Sequence, residues 1–93
     1  MVSDPWTDAR QIAGGHAWDN HKHEFSEITT IDQFAEVIFQ TMTKPSVAKL
    51  LSRGRVAFWN DALAMLVIRD PENDDLGTAF KPSRGRSYFD SLR

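Results

Sequence analysis

The chain has three histidines, and all of them fall between positions 16 and 23, as His16, His21 and His23, with Lys22 between the last two. Imidazole is the one side chain that exchanges a proton near neutrality without any perturbation, so the group has the makings of acid–base chemistry. His16 and His23 are seven residues apart, close to two turns of an α-helix, and a continuous helix would present them on one face. Lys22 adds a fixed positive charge, which suits an anionic transition state such as a phosphorane. Metal-free cleavage of RNA requires such a set. One group takes the 2′-hydroxyl proton, a second protonates the leaving 5′-oxygen, and cations with hydroxyls stabilise the pentacoordinate phosphate. DNA lacks that internal nucleophile, so the same groups favour RNA.

Two other readings of these residues compete. His21-Lys22-His23 is an H-x-H pair beside Glu24, and tetrahedral zinc takes three or four nitrogen, oxygen or sulfur ligands. That spacing suits a strand, where alternate side chains share a face. In a helix, positions two apart diverge by roughly 200°, and the intervening lysine repels a cation. No metal and no other cofactor is therefore expected. The plainer alternative is a polar helix whose histidines simply face water.

The bulk properties set the frame for these residues. A chain of 93 residues is one domain with a modest core, and residues 1–93 are read as that domain. An apolar fraction of 41% argues for a folded chain rather than a disordered one. There is no cysteine, hence no disulfide framework and no thiolate metal site. No apolar run approaches the length of a membrane span and no signal-peptide core is visible, so the expected domain is soluble. The net charge of −2 counts against nucleic acid, but its distribution is blocked. Residues 1–43 carry a net −5, residues 44–55 carry +4, residues 56–80 carry −4 and residues 81–93 carry +3. Such blocks can build one basic face and one acidic face.

The elements that must position the histidines can be read from period and punctuation. Residues 1–15 are expected to form a partly ordered leader, in which Ser3 or Asp4 with Pro5 can open a helix at Trp6. Gly14-Gly15 should break it. Residues 16–25 then form a short helix ending near Phe25. Thr30 and Gln33 fit a capping box, with Ile31, Phe34, Ala35, Ile38 and Met42 at helical spacing, and Lys44-Pro45 stops that helix. Pro45, Val47, Leu50, Leu51 and Gly54 predict a second short helix. Arg55 to Trp59 and Leu63 to Ile68 are rich in β-formers and joined by Asn60-Asp61. After the polar turn from Asp70 to Asp75, Gly77 to Phe80 reads as a third strand that ends by Lys81, because Pro82 cannot donate to a ladder. Ser87-Tyr88-Phe89 reads as a last short strand. The fold class is α+β, with N-terminal helices packed on a small twisted antiparallel sheet. Phe34, Ile38, Val56, Phe58, Leu66 and Ile68 are the expected core. Trp6, Trp18 and Trp59 belong to the core or to groove walls.

In order and spacing, "HKHEF" at 21–25, "TTIDQFAEVI" at 29–38, "IRDPENDDLGTAFKP" at 68–82 and "SYF" at 87–89 form a set. It resembles the C-terminal nuclease domains of bacterial polymorphic toxins. These include contact-dependent growth inhibition effectors and the tRNase domain of colicin D, within the barnase, EndoU, colicin and RelE group. The resemblance spans residues 16–89. It implies acid–base chemistry from Lys22 and His23, with Thr78 and Phe80 on a late strand facing the same cleft and Lys81-Pro82 and Tyr88 as further matching residues. Lys22, Lys81 and Thr78 would stabilise the phosphate, and Thr78 and Tyr88 join the histidines as catalytic candidates. The polar turn lacks the family's Thr-Gly after Asp-Pro, and His16 has no firm counterpart. Which histidine is the acid and which the base therefore stays open between His23 and either His16 or His21. Arg84 and Arg86 are expected, with Lys81 and Phe80, to hold RNA. The resemblance also implies a cognate immunity protein covering the cleft, a longer secreted parent chain acting in the cytoplasm of a target cell, and a possible need for a host activating factor.

The expected function is thus a metal-independent ribonuclease toxin, a tRNase, cutting by 2′-hydroxyl transphosphorylation to a 2′,3′-cyclic phosphate. The alternative from another class is a non-catalytic binding module, such as an immunity protein, an antitoxin or an adaptor, which would have no need for histidines facing Thr78 across a cleft. A metal-dependent nuclease is the third reading, and a chelator would abolish its activity.

Overall fold

A computed structural model describes residues 4–93; of the expected leader, Met1 to Ser3 lie outside the described residues. Asp4 opens the first helix, α1 (Pro5–Ile12). Its carboxylate accepts the Trp6 N–H at 3.2 Å, and Pro5 occupies a first-turn position that needs no donor. Ala9 and Ile12 are fully buried, so this segment is a core element rather than a leader. The glycine pair does not end the helical path. Residues 13–17 form a wider π-type turn with a kink at Gly15, and α2 (Trp18–His21) follows directly. Lys22–Glu24 tightens into a single 3₁₀ turn that stops before the buried Phe25. The histidine segment is therefore three short pieces and not one continuous α-helix.

α3 (Ile31–Thr43) begins as its sequence predicts. Thr30 Oγ1 accepts the Gln33 N–H at 3.1 Å, while Gln33 Oε1 reaches back to the Thr29 N–H at 2.9 Å. Phe34, Ala35 and Ile38 point into the core, and Thr41, also buried, bonds to the Val37 carbonyl at 2.7 Å. The capping box thus fixes the start of the helix, and its apolar spacing fixes the buried face.

Beyond α3, the predicted helix over 45–54 is a strand and a hairpin turn. β1 (Val47–Leu50) pairs antiparallel with β2 (Val56–Asn60), Val47 opposite Trp59 and Leu50 opposite Val56. Gly54 closes a hairpin and does not cap a helix. Arg53 and Gly54 both have positive φ, 61° and 76°, the twist of a primed two-residue hairpin turn. β3 (Met65–Arg69) starts at Met65 rather than Leu63, because the loop before it is four residues, 61–64, with the Leu63 N–H held by Asn60 Oδ1 at 3.1 Å. β4 (Gly77–Phe80) completes a four-stranded antiparallel meander in chain order. Gly77 has to be glycine. Its φ is 139°, and a Cβ there would lie 1.9 Å from the Ile68 carbonyl oxygen.

The last predicted strand is also corrected. Arg86–Ser91 forms α4, and the chain turns back over the sheet after Gly85, whose φ is 60°. The reason is tertiary. A strand would aim Tyr88 and Phe89 to opposite sides, whereas a helix sets them about 100° apart, so both rings reach one face of the sheet, Phe89 buried on Trp59 and Tyr88 at the rim on Phe80.

The sheet has two covered faces. Met65, Val67 and Ala79 face α1 and α3, and Leu66, Ala57 and Trp59 face α4. An ion pair of 3.0 Å between Asp8 and Arg69 ties α1 to the first of these faces. Of the expected core, Phe34, Ile38 and Leu66 are fully buried, while Val56, Phe58 and Ile68 are half-buried at the margins. Trp59 is buried, Trp18 packs on Phe34 at 5.3 Å, and Trp6 is partly exposed. No helix among the described residues is long and apolar enough to cross a membrane.

Candidate functional site

The 3₁₀ turn after α2 and the end of β4 meet at one carboxylate, that of Glu24. His21 Nδ1 lies 2.8 Å from Glu24 Oε2, and the Lys81 backbone N–H donates to Oε1 at 2.8 Å. The second bond has a local cause. Pro82 ends the ladder after Phe80, so the Lys81 N–H is free to leave the sheet, and Glu24 takes it. His21 and Glu24 are three apart on a helical turn, the spacing at which side chains meet. Their side chains are 28% and 23% exposed, dry enough to hold one geometry and open enough to be reached.

A row of stacked groups runs outward from this pair. The His21 ring lies 5.5 Å from Phe80, Phe80 lies 5.8 Å from Tyr88, and the Arg84 guanidinium lies 5.4 Å over Tyr88. α4 brings in Tyr88, the loop before it brings Arg84, and β4 supplies Phe80. Lys81 Nζ is 5.8 Å over the buried Phe25, exposed beside the pair. His23 is largely exposed and its Nε2 is 3.9 Å from the same Glu24 oxygen. Lys22 is exposed and lies 5.9 Å over Trp18. Thr78 is on the Phe80 face of β4, two residues back and roughly 7 Å along the strand, opposite Ile68.

Two expected residues lie elsewhere. His16 sits on the π-type turn, 84% exposed, with Asp75 at 3.5 Å, in an open cleft lined by Glu72, Asn73, Asp74 and Asp75. The kink at Gly15, where a Cβ would lie 2.7 Å from the Asp75 side chain, fixes that placement. His16 and His23 do not share a helical face, because the path between them passes from a π-type turn through α2 to a 3₁₀ turn. Arg86 is engaged by Asp90 at 3.1 Å and lies over Phe89 at 5.6 Å, so its charge is already matched.

Glu24, which the sequence offers only as a neighbour of a metal-binding pair, is in the structure the partner of His21. The signal was its three-residue spacing from His21 in a helical stretch. Chemically, a carboxylate at Nδ1 favours the tautomer with its proton there, which leaves Nε2 as an acceptor able to take a proton from substrate. Among the described residues there is no group of three or more His, Asp or Glu side chains that could hold a metal ion. Comparison with known proteins gives no matching family model and no matching curated protein.

Proposed function

We propose that the chain is a metal-independent ribonuclease, a toxin domain that cuts tRNA. The observation that carries this reading is the convergence of His21, His23, Lys81, Tyr88 and Arg84 around the Glu24 carboxylate and Phe80. His21 Nε2 takes the proton of the 2′-hydroxyl as the oxygen attacks phosphorus. The bond from phosphorus to the 5′-oxygen breaks, and His23 returns a proton to that oxygen. The products are a 2′,3′-cyclic phosphate and a 5′-hydroxyl. Glu24 orients His21 and stabilises its imidazolium, while Lys22, Lys81 and Arg84 offset charge on the phosphate. Phe80 and Tyr88 offer ring faces to an unstacked base. Thr78 is a hydroxyl further along the same face. A cognate immunity protein would inhibit by covering this row of rings and cations.

The mechanism makes the 2′-hydroxyl indispensable. An RNA oligonucleotide that the protein cuts should lose all cleavage when the nucleotide 5′ of the scission is replaced by its 2′-deoxy form, and the cut RNA should carry a cyclic phosphate end. Cleavage of the deoxy substrate at an unchanged rate would refute internal transphosphorylation.

A further inference from the structure

The edge of the sheet opposite the histidine cluster is open, and its two faces differ. We propose that β1 is a docking edge for an extended segment of an acidic protein partner, one in which apolar residues alternate with carboxylates. This inference is independent of the ribonuclease reading, since β1 lies three strands from β4, or roughly 14 Å across the sheet.

The backbone supplies the template. The Leu51 N–H donates to the Arg55 carbonyl at 2.8 Å, so in the alternating antiparallel ladder Lys49 is bonded inward and Ala48 and Leu50 turn their N–H and C=O groups to the open edge. Side chains supply the pattern. On the face shared with α1 and α3, Leu50 is 83% exposed and Ala48 is exposed, with half-buried Val56 and Phe58 directly across from them on β2. Phe58 packs at the margin of the helix-side core, and beyond it Ala48 and Leu50 stand exposed, an apolar rim at the strand edge. On the other face stand Lys49 and Arg55. Lys49 Nζ bonds to the Phe89 and Asp90 carbonyl oxygens, and Arg55 bonds to Ser52 and to the Arg93 carbonyl oxygen.

Charge selects the occupant. Residues 44–55 hold four cations and no acid, and among the described residues none of the four forms an ion pair with a carboxylate side chain. Exposed Lys44 and Arg53 flank the strand. Antiparallel pairing of β1 with a second copy would bring the Lys44 end of one chain beside the Arg53 end of the other, and like charges opposed across strands repel. The cations that discourage self-pairing favour an acidic strand instead. A partner with period-two alternation fits both faces at once, its apolar side chains continuing the strip from Leu50 and Ala48 and its carboxylates lying beside Lys49 and Arg55.

The test uses the whole chain and a probe peptide of four Val-Glu repeats, followed by amide NMR and calorimetry, with a Val-Lys repeat of the same length as control. Binding of the Val-Glu peptide with shifts centred on residues 46–51, at least ten-fold tighter than the control, is expected. Two variants keep the outcome decisive. Ala48→Pro removes an outward N–H at a position where proline is tolerated on an edge, and Leu50→Lys alters an exposed side chain. Each should weaken binding ten-fold or more with circular dichroism unchanged. Equal affinity for the two peptides, no binding of either, or full affinity in both variants would overturn the proposal, as would a native dimer paired through β1.

Discussion

His21 and Glu24 carry the acid–base argument because each fixes the other. Both oxygens of the Glu24 carboxylate are engaged, one by the His21 ring and one by the Lys81 N–H, so the imidazole is held against Phe80 instead of swinging in water. Orientation of this kind is worth orders of magnitude when a proton moves in the transition state. Glu24→Gln should therefore lower the cleavage rate about 10–100-fold while leaving the fold intact; rates measured alongside circular dichroism would show it, and a native rate would mean that His21 needs no orienting carboxylate. His16 belongs to a different surface, 3.5 Å from Asp75 on the loop between β3 and β4. His16→Ala should keep the rate within about threefold of native in the same assay.

At the scale of the elements, the site depends on α4, a helix of six residues held mainly from outside itself. Phe89 anchors it in the core beside Trp59, and Lys49 holds the Phe89 and Asp90 carbonyls at 3.1 and 2.7 Å. Lys49→Met keeps the aliphatic stem and removes those charge-assisted bonds, so urea unfolding should show a loss of about 1–2 kcal/mol. Gly77→Ala tests the other support, the start of β4, and should cost at least about 2 kcal/mol because the new methyl group meets the Ile68 carbonyl. These same elements mark where the sequence was readable. α3 was legible because Thr30, Gln33 and its apolar spacing all act within one helix. β2, β3 and β4 were legible from β-formers and from Pro82. β1 and α4 were not, since each takes its form from what it packs on: β1 from its hairpin neighbour β2 through the Arg53-Gly54 turn, whose glycine also fits a helix cap, and α4 from the distant face of Trp59 and Leu66. The site followed the same rule. His21, Lys22 and His23 were visible as a local motif, whereas the bond from Lys81 to Glu24 joins residues 57 apart.

For the whole molecule, the small net charge conceals a division of labour. Exposed Lys81 and Arg84 lie over Phe25 and Tyr88 along the row that starts at the Glu24 pair, and exposed Lys22 lies over Trp18, while the carboxylates of Glu72, Asp74 and Asp75 line the cleft of His16. If those three cations contact RNA phosphates, the logarithm of kcat/KM should fall with the logarithm of salt with a slope of about −2, at roughly 0.7 per phosphate on a single strand; a slope near zero would remove RNA from that surface. The central claim, that His21 works as a metal-free proton acceptor on RNA, meets its most direct test in cleavage of total tRNA with EDTA present, native chain against His21→Ala, the fold of each checked by circular dichroism. The account predicts cleavage by the native chain that survives EDTA and falls by about 10²–10⁴ in the folded variant. Loss of native cleavage in EDTA, or a folded His21→Ala that cuts at the native rate, would contradict it.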